Sequence, residues 1–401
     1  MHLTMTDSYK FISQNLENIR KDLISLVQSE SPSSEKSLVD LTGNLIKDII
    51  HNRLGDNYIC TEHKNRETGN HLQFEKKEDT KPRILFLCHF DTVWKKGEIP
   101  LRFEEDVFYG PGVFDMKAGL LSSIWAINSL ENTLDKLPIS PVFLFTSDEE
   151  TGSLTSRELI EEVAKTCDAV FVMEPAEGKT NALKTARKGV GMYELHVQGI
   201  SAHAGNHHED GVNAILEIAY LVQQLQELTD YTKGTTVSVG TISGGTTSNV
   251  VPENASIEVD FRIASLDEAD RIMQTIEQLT PKNPLAKLTI AGELNRPPLE
   301  RTEANQQLFK LAKNAGKKLN IEITETSVGG VSDGNFTSAL GIPTIDGLGI
   351  PGDGPHARHE HIRFDLFAER CALVAELCII FGEKFVNHDD LVEKEEKFIT
   401  K

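Results

Sequence analysis

Three apolar runs in this chain end in acids or histidine. Ile84-Leu85-Phe86-Leu87 leads into His89-Phe90-Asp91, Val142-Phe143-Leu144-Phe145 into Asp148-Glu149-Glu150, and Ala169-Val170-Phe171-Val172-Met173 into Glu174. Runs apolar on both faces read as buried strands of a parallel α/β sheet. Ligands of such sheets gather beyond the carboxyl ends of the strands, so these groups, far apart in sequence, are expected to converge. Carboxylates and imidazole crowded together are costly to bury alone, and a divalent cation relieves their repulsion. Histidine and carboxylate without cysteine suit a catalytic metal site better than a structural one. Two metals can be served if one Asp bridges them, and water bound to metal ionises near neutral pH, with a pKa of about 7. A carboxylate outside the ligand set must then take that water's proton. In Glu149-Glu150, one neighbour can ligate while the other acts as base.

Two more segments fit the same site. Gly110-Pro-Gly-Val-Phe-Asp115-Met-Lys is a glycine-permitted turn that places Asp115 just before a helix. Its Gly-x-Gly start is a poor dinucleotide loop: Phe114-Asp115 occupy the third glycine's place and no strand immediately precedes it. Gly347 to His361 is a glycine-rich loop in which His356, His359 and His361 compete for one ligand role. Each residue also has a plainer reading. Asp115 alone is most simply a helix N-cap, Glu149-Glu150 a solvated acid pair, and His89/Asp91 a turn cap. Their order and their placement at strand ends favour the metal reading.

The elements that must hold these residues fall into two grammars. Residues 8–30 and 36–52 carry apolar positions three and four apart, the helical period. Helical stretches near 116–131 and 153–166 separate the apolar strands. Beyond residue 184 the order becomes strand (190–200), helix (211–230), two strands (235–243 and 255–263), helix (267–279) and strand (285–291). That is a split β-α-β motif, an antiparallel sheet carrying two helices. After Asn295-Arg296-Pro297-Pro298 the α/β pattern returns, with a helix near 303–318, a strand near 342–345 and a helix near 365–385. The expected architecture is a discontinuous α/β catalytic domain, residues 1–183 and 297–401, interrupted by a ferredoxin-like α+β domain at 184–296.

Composition narrows the functional classes. The chain has 401 residues, 39% hydrophobic and 25% charged, and a formal net charge of −20. That charge repels phosphate backbones and anionic lipid, so neither nucleic acid nor membrane is an expected partner. No run of apolar residues is long enough to span a bilayer. The five cysteines are odd in number, scattered and never spaced Cys-x-x-Cys, as in a reducing cytoplasm. A secreted form that has lost its signal is the alternative.

The ordered motifs resemble a known family. They are His89-x-Asp91-Thr-Val, Gly110-x-Gly-x-x-Asp115-Met-Lys, Ser147-Asp-Glu149-Glu150-Thr-Gly, Met173-Glu174-Pro, Gly199-x-x-Ala-His203-Ala-Gly, Asn249-Val-Val-Pro with Asp260-x-Arg262, and the glycine loop before His356. Together they are similar to the bacterial glutamate carboxypeptidase and aminoacylase family of co-catalytic zinc exopeptidases. The resemblance implies two divalent ions per subunit, zinc foremost, with cobalt or manganese as alternatives. Asp115 would bridge them, His89 and Glu174 would complete one shell, and Glu150 and His356 the other. Asp91 would hydrogen-bond the far nitrogen of His89, and Glu149 would be the general base. His203 would stabilise the oxyanion at a neighbouring subunit's site in a homodimer. Asn249 and Arg262 would hold the substrate, Arg262 by its free α-carboxylate. A cis peptide after Asp115 and a lid role for the inserted domain are further implications. The expected activity is hydrolysis of an N-acyl amino acid or small peptide, carboxypeptidase-like, with an aminoacylase or biosynthetic deacylase as runner-up. A non-catalytic dimeric binding relative is a distant third.

Overall fold

The structure, a computed structural model, describes residues 6–76 and 82–399, with side chains as far as Phe385. The chain divides into two compact units. One comprises Met1–Thr185, Arg301–Ser327 and Ser332–Lys401; the other comprises Ala186–Glu300 and Val328–Val331. The sequence places the junctions near 184 and 296 and has no counterpart for the short return at 328–331.

A six-stranded mixed sheet forms the first unit, in the spatial order Tyr58–His63, His71–Lys76, Ser140–Thr146, Arg83–His89, Ala169–Val172, Thr344–Ile345. The last four run parallel, and the first two form an antiparallel edge. Side chains alternate across a strand, and here both faces are covered. Ile84, Phe86, Phe143 and Phe171 pack with Trp125 and Leu373 in the larger core. Leu85, Leu87, Val142 and Val170 pack with Ile160, Val163 and Phe336 on the other side. Burial on both faces explains why these strands read as unbroken apolar runs.

The register brings the chemistry to one end of this sheet. His89 lies opposite Thr146, and Leu87 opposite Val172, so His89, Glu149-Glu150 and Glu174 all leave from the same edge. The helix Ala118–Thr133 is buried along nearly its whole length. Gly119 is its point of closest approach: a Cβ there would stand 1.9 Å from the backbone oxygen of Met173. A second sheet, all antiparallel and four-stranded, runs Gly352–Asp353, His361–Arg363, Val107–Tyr109, Arg102–Glu104. It ties the histidine loop to the segment before Asp115.

The other unit is a four-stranded antiparallel sheet in the order Thr236–Gly244, Asn254–Ile263, Gly189–Gln198, Lys287–Arg296. Its helices, Ala214–Gln226 and Leu266–Glu277, start on side-chain caps from Asn213 and Ser265. Tyr193, Leu195, Val197, Ile257, Val259 and Phe261 meet Ile218, Leu221, Ile272 and Ile276 in a separate core. The strand order is second, third, first, fourth, as the split β-α-β pattern demands. Among the described residues, no helix is long and apolar enough to cross a membrane.

Candidate functional site

His89 closes its strand with its ring buried, 2% exposed. Its Nε2 faces Asp115 Oδ1 at 3.0 Å and Glu174 Oε1 at 3.4 Å. The other oxygen of Asp115, Oδ2, faces His356 Nε2 at 3.5 Å, and that nitrogen meets Glu150 Oε2 at 3.0 Å. Asp115 therefore offers one oxygen to each of two groups. His89, Asp115 and Glu174 form the first, and Asp115, Glu150 and His356 the second; within each, the donor atoms all lie within 4.8 Å of one another. The loop thus selects His356 from its three histidines. His361 instead faces the backbone oxygen of His359 and packs by Tyr109.

Electrostatics at the site follow from this crowding. Burial works against charge on His89, but hydrogen bonds to Asp115, Asp91 and Glu174 outweigh it and raise the ring well above its ordinary value. Asp115 and Glu150 push His356 up to about 10. Burial raises Glu150 to about 6, against the pull of His356 and with the added repulsion of Asp115. Asp115 is held low, the two imidazoles outweighing its burial. The carboxylates thus demand positive charge at both Nε2 positions, where a divalent cation would sit in place of protons. That demand, together with an oxygen and nitrogen donor set, fits a pair of divalent ions.

Asp91 faces the far nitrogen of His89 with two of its oxygens. The far nitrogen of His89, Nδ1, is 3.1 Å from the backbone oxygen of Asp91 and 3.5 Å from its carboxylate. The carboxylate has further partners. It accepts from the Ser33 hydroxyl at 2.7 Å and from the backbone N–H groups of Glu149 and Glu150 at 3.2 and 3.3 Å. Asp91 therefore steadies the ring through its main chain and carboxylate together, and anchors the Glu149-Glu150 turn through that same side chain. The Asp115–Met116 peptide is cis, as the resemblance implies. Gly112 sits at φ 68°, where a Cβ would meet Thr92 Cγ2 at 2.4 Å, so the turn before Asp115 requires glycine.

Two buried charged residues at this turn escape the sequence reading. Glu360 is 1% exposed and Lys117 fully buried. The Lys117 ammonium donates to the backbone oxygens of Leu26 and Ser29 at 3.1 and 2.8 Å, and burial lowers it to about 7. The Glu360 carboxylate accepts from the backbone N–H of Gly112, Phe114 and Asp115 and from the Trp94 indole. The one available signal for Glu360 is its place four residues after His356.

His203, Asn249 and Arg262 lie in the inserted unit. His203 Nδ1 accepts from the backbone N–H groups of Gly205 and Asn206, both at 3.0 Å. A neutral ring held in this way carries its proton on Nε2 and presents it as a donor. Asn249 Oδ1 accepts from the Thr247 hydroxyl at 3.1 Å, and its backbone oxygen from Ala204 N–H. Arg262 is engaged locally: its Nε and Nη2 hold both oxygens of Asp260 at 3.0 Å. The edge of the fork bearing Nη1 stands outside that pair.

Comparison with known proteins agrees with the fold. Carboxypeptidase G2 of Pseudomonas sp. (strain RS-16) is 29% identical over 372 residues, covering 90% of this chain and 89% of that protein. Succinyl-diaminopimelate desuccinylase of Dechloromonas aromatica (strain RCB) is 28% identical over 316 residues, covering 73% and 82%. Aminopeptidase PepT of Bacillus cereus has a similar fold, with a TM-score of 0.78 at 21% identity over 91% of this chain and 98% of that one. An M20 family metallo-carboxypeptidase of Sulfolobus solfataricus gives 0.71 at 18% identity, over 91% and 99%. The protein is a hydrolase of peptidase or deacylase type. Residues 85–379 match the description of peptidase family M20/M25/M40, and the chain belongs to that family.

Proposed function

We propose that the protein is a two-metal exopeptidase, removing an amino acid with a free α-carboxylate from an N-acyl amino acid or small peptide. The observation that carries this reading is Asp115, whose two oxygens each face a separate group of ligand atoms. His89 and Glu174 would complete one ion's ligands, and Glu150 and His356 the other's. Zinc is the first choice of ion, with cobalt or manganese as substitutes. When bound, the ions would supply Lewis acidity, lowering the pKa of water and polarising the scissile carbonyl.

This chain's residues do the rest. Glu149, on the turn anchored by Asp91, takes the proton of the attacking water and returns it to the departing nitrogen. His203, with its donor on Nε2, stabilises the oxyanion at the site of a partner subunit in a homodimer formed by the inserted unit. Asn249 orients the substrate. Arg262 grips the α-carboxylate, by its Nη1 edge or by exchanging Asp260 for the substrate. No covalent intermediate is needed. The five free cysteines are in keeping with work in the cytoplasm.

A glutamate-releasing carboxypeptidase is the preferred specificity, supported by the 29% identity to carboxypeptidase G2 across most of both chains. A biosynthetic deacylase is the second reading, favoured by the desuccinylase relatives. Elemental analysis after dialysis, with hydrolysis of folyl-glutamate, N-acetyl amino acids and dipeptides before and after chelation, tests both. Two ions per chain and chelator-sensitive release of glutamate are expected. Two ions with turnover only of succinylated or acetylated amines would favour the deacylase. Chelator-insensitive turnover with no bound ion would overturn the two-metal reading.

A further inference from the structure

We propose that Glu360 is the positioning residue of this site, holding the turn that presents the shared Asp115 carboxylate to both ligand groups. The inference rests on the two-metal reading above. Glu360 collects four donors: Phe114 N–H at 2.9 Å and Asp115 N–H at 3.1 Å on Oε1, and the Trp94 indole at 2.6 Å and Gly112 N–H at 3.2 Å on Oε2. Its own backbone N–H bonds Ala357 O, and its backbone oxygen receives Gly110 N–H. One side chain thereby joins three loops: that following His89 and Asp91, through Trp94; that carrying Asp115; and its own, which carries His356.

The side-chain group that matches this arrangement is a carboxylate. It is an acceptor at both oxygens, and four converging N–H donors leave no place for a donor group. Glutamine would turn an NH2 toward two of them, leaving buried donors opposed and unpaired. Asp115 is itself one of the backbone donors, so freeing its N–H moves the residue whose two oxygens serve the two groups. The signature is loss of both ions together. A ligand belonging to one group alone would cost one ion.

The test is cobalt titration of the metal-free full chain, followed by visible absorbance, with the melting temperature of each metal-free variant measured alongside. Glu360→Gln is expected to weaken both ions by roughly 10–100-fold, the usual effect of losing a residue that orients ligands, and to change the cobalt bands. Glu174→Gln serves as comparator and should weaken one ion only. If Glu360→Gln does not fold, Trp94→Phe carries the test. It removes one of the four donors, keeps the carboxylate, and should weaken both ions several-fold. Folded Glu360→Gln, or in its place Trp94→Phe, binding both cobalt ions with wild-type affinity and bands would overturn the proposal, whatever its melting temperature. Loss of a single ion from Glu360→Gln would overturn it too. A wild-type chain that takes up no cobalt would instead overturn the two-metal reading, and this proposal with it.

Discussion

At the scale of single residues, neighbours in one turn carry different tasks. Glu150 lies against His356 with its side chain buried, whereas Glu149 beside it belongs to neither ligand group among the described residues. Glu149→Ala should therefore keep both ions while slowing turnover by roughly 10²–10⁴-fold, the share owed to a general base. Metal analysis with steady-state kinetics checks this, and metal loss in the variant would exchange the two roles. The members of the two clustered groups were legible in the sequence because each follows an apolar strand or a glycine turn. Asp91 was legible as a partner of His89, but its added hold on the Glu149 turn was not, because that depends on where Ser33 and the turn lie. Glu360 was hidden more deeply. A lone acid after a histidine loop carries no pattern, and its donors lie up to 266 residues away.

Elements explain why the donors arrive level. Residues 140–146 and 169–172 flank Arg83–His89 in parallel register, and the helix after Asp115 lies against the segment carrying Met173 and Glu174. The contact at Gly119 leaves no space for a methyl group, because the opposing atom is a backbone oxygen. Gly119→Ala should cost about 1–3 kcal/mol through overpacking, lowering the urea midpoint and, on the two-metal reading, loosening the ion that Glu174 would help to hold. Denaturation and metal titration of the same variant would show whether the two losses occur together. The central strands and the four inserted strands were legible from apolar runs and alternation. The edge strand Tyr58–His63 was not, since five of its six residues are at least partly exposed and give no apolar run. Strands of two or three residues, such as Gly352–Asp353 and His361–Arg363, are too short to show a period. The helix expected over residues 8–30 is interrupted at Asn15, which ends Asp7–Gln14 and precedes Leu16–Gln28.

For the whole molecule, the open question is cooperation between chains. If His203 serves a partner's site, His203→Ala and Glu149→Ala proteins should each be nearly inactive alone. Mixed and allowed to exchange subunits, they should regain up to about a quarter of wild-type turnover, since half the dimers would be mixed and each would hold one intact site. Absence of recovery, with exchange verified by differently tagged chains, would place His203 within its own subunit's chemistry or outside it. The division into two units was legible from the change in element order. The return of Val328–Val331 to the inserted unit was not, because four residues carry no periodicity.

The span between Asp115 and Glu360, 245 residues, has a consequence during synthesis. While the chain emerges from a ribosome, His89, Asp115, Glu150 and Glu174 are exposed to the cell long before His356 and Glu360 follow. The early segment has carboxylates able to catch a passing cation but lacks the loop that orients the shared one. On the two-metal reading, a full pair of ions would be acquired only as the last part of the chain closes over the turn. Occupancy would then be a mark of finished folding, and a truncated product would be expected to stay chemically silent.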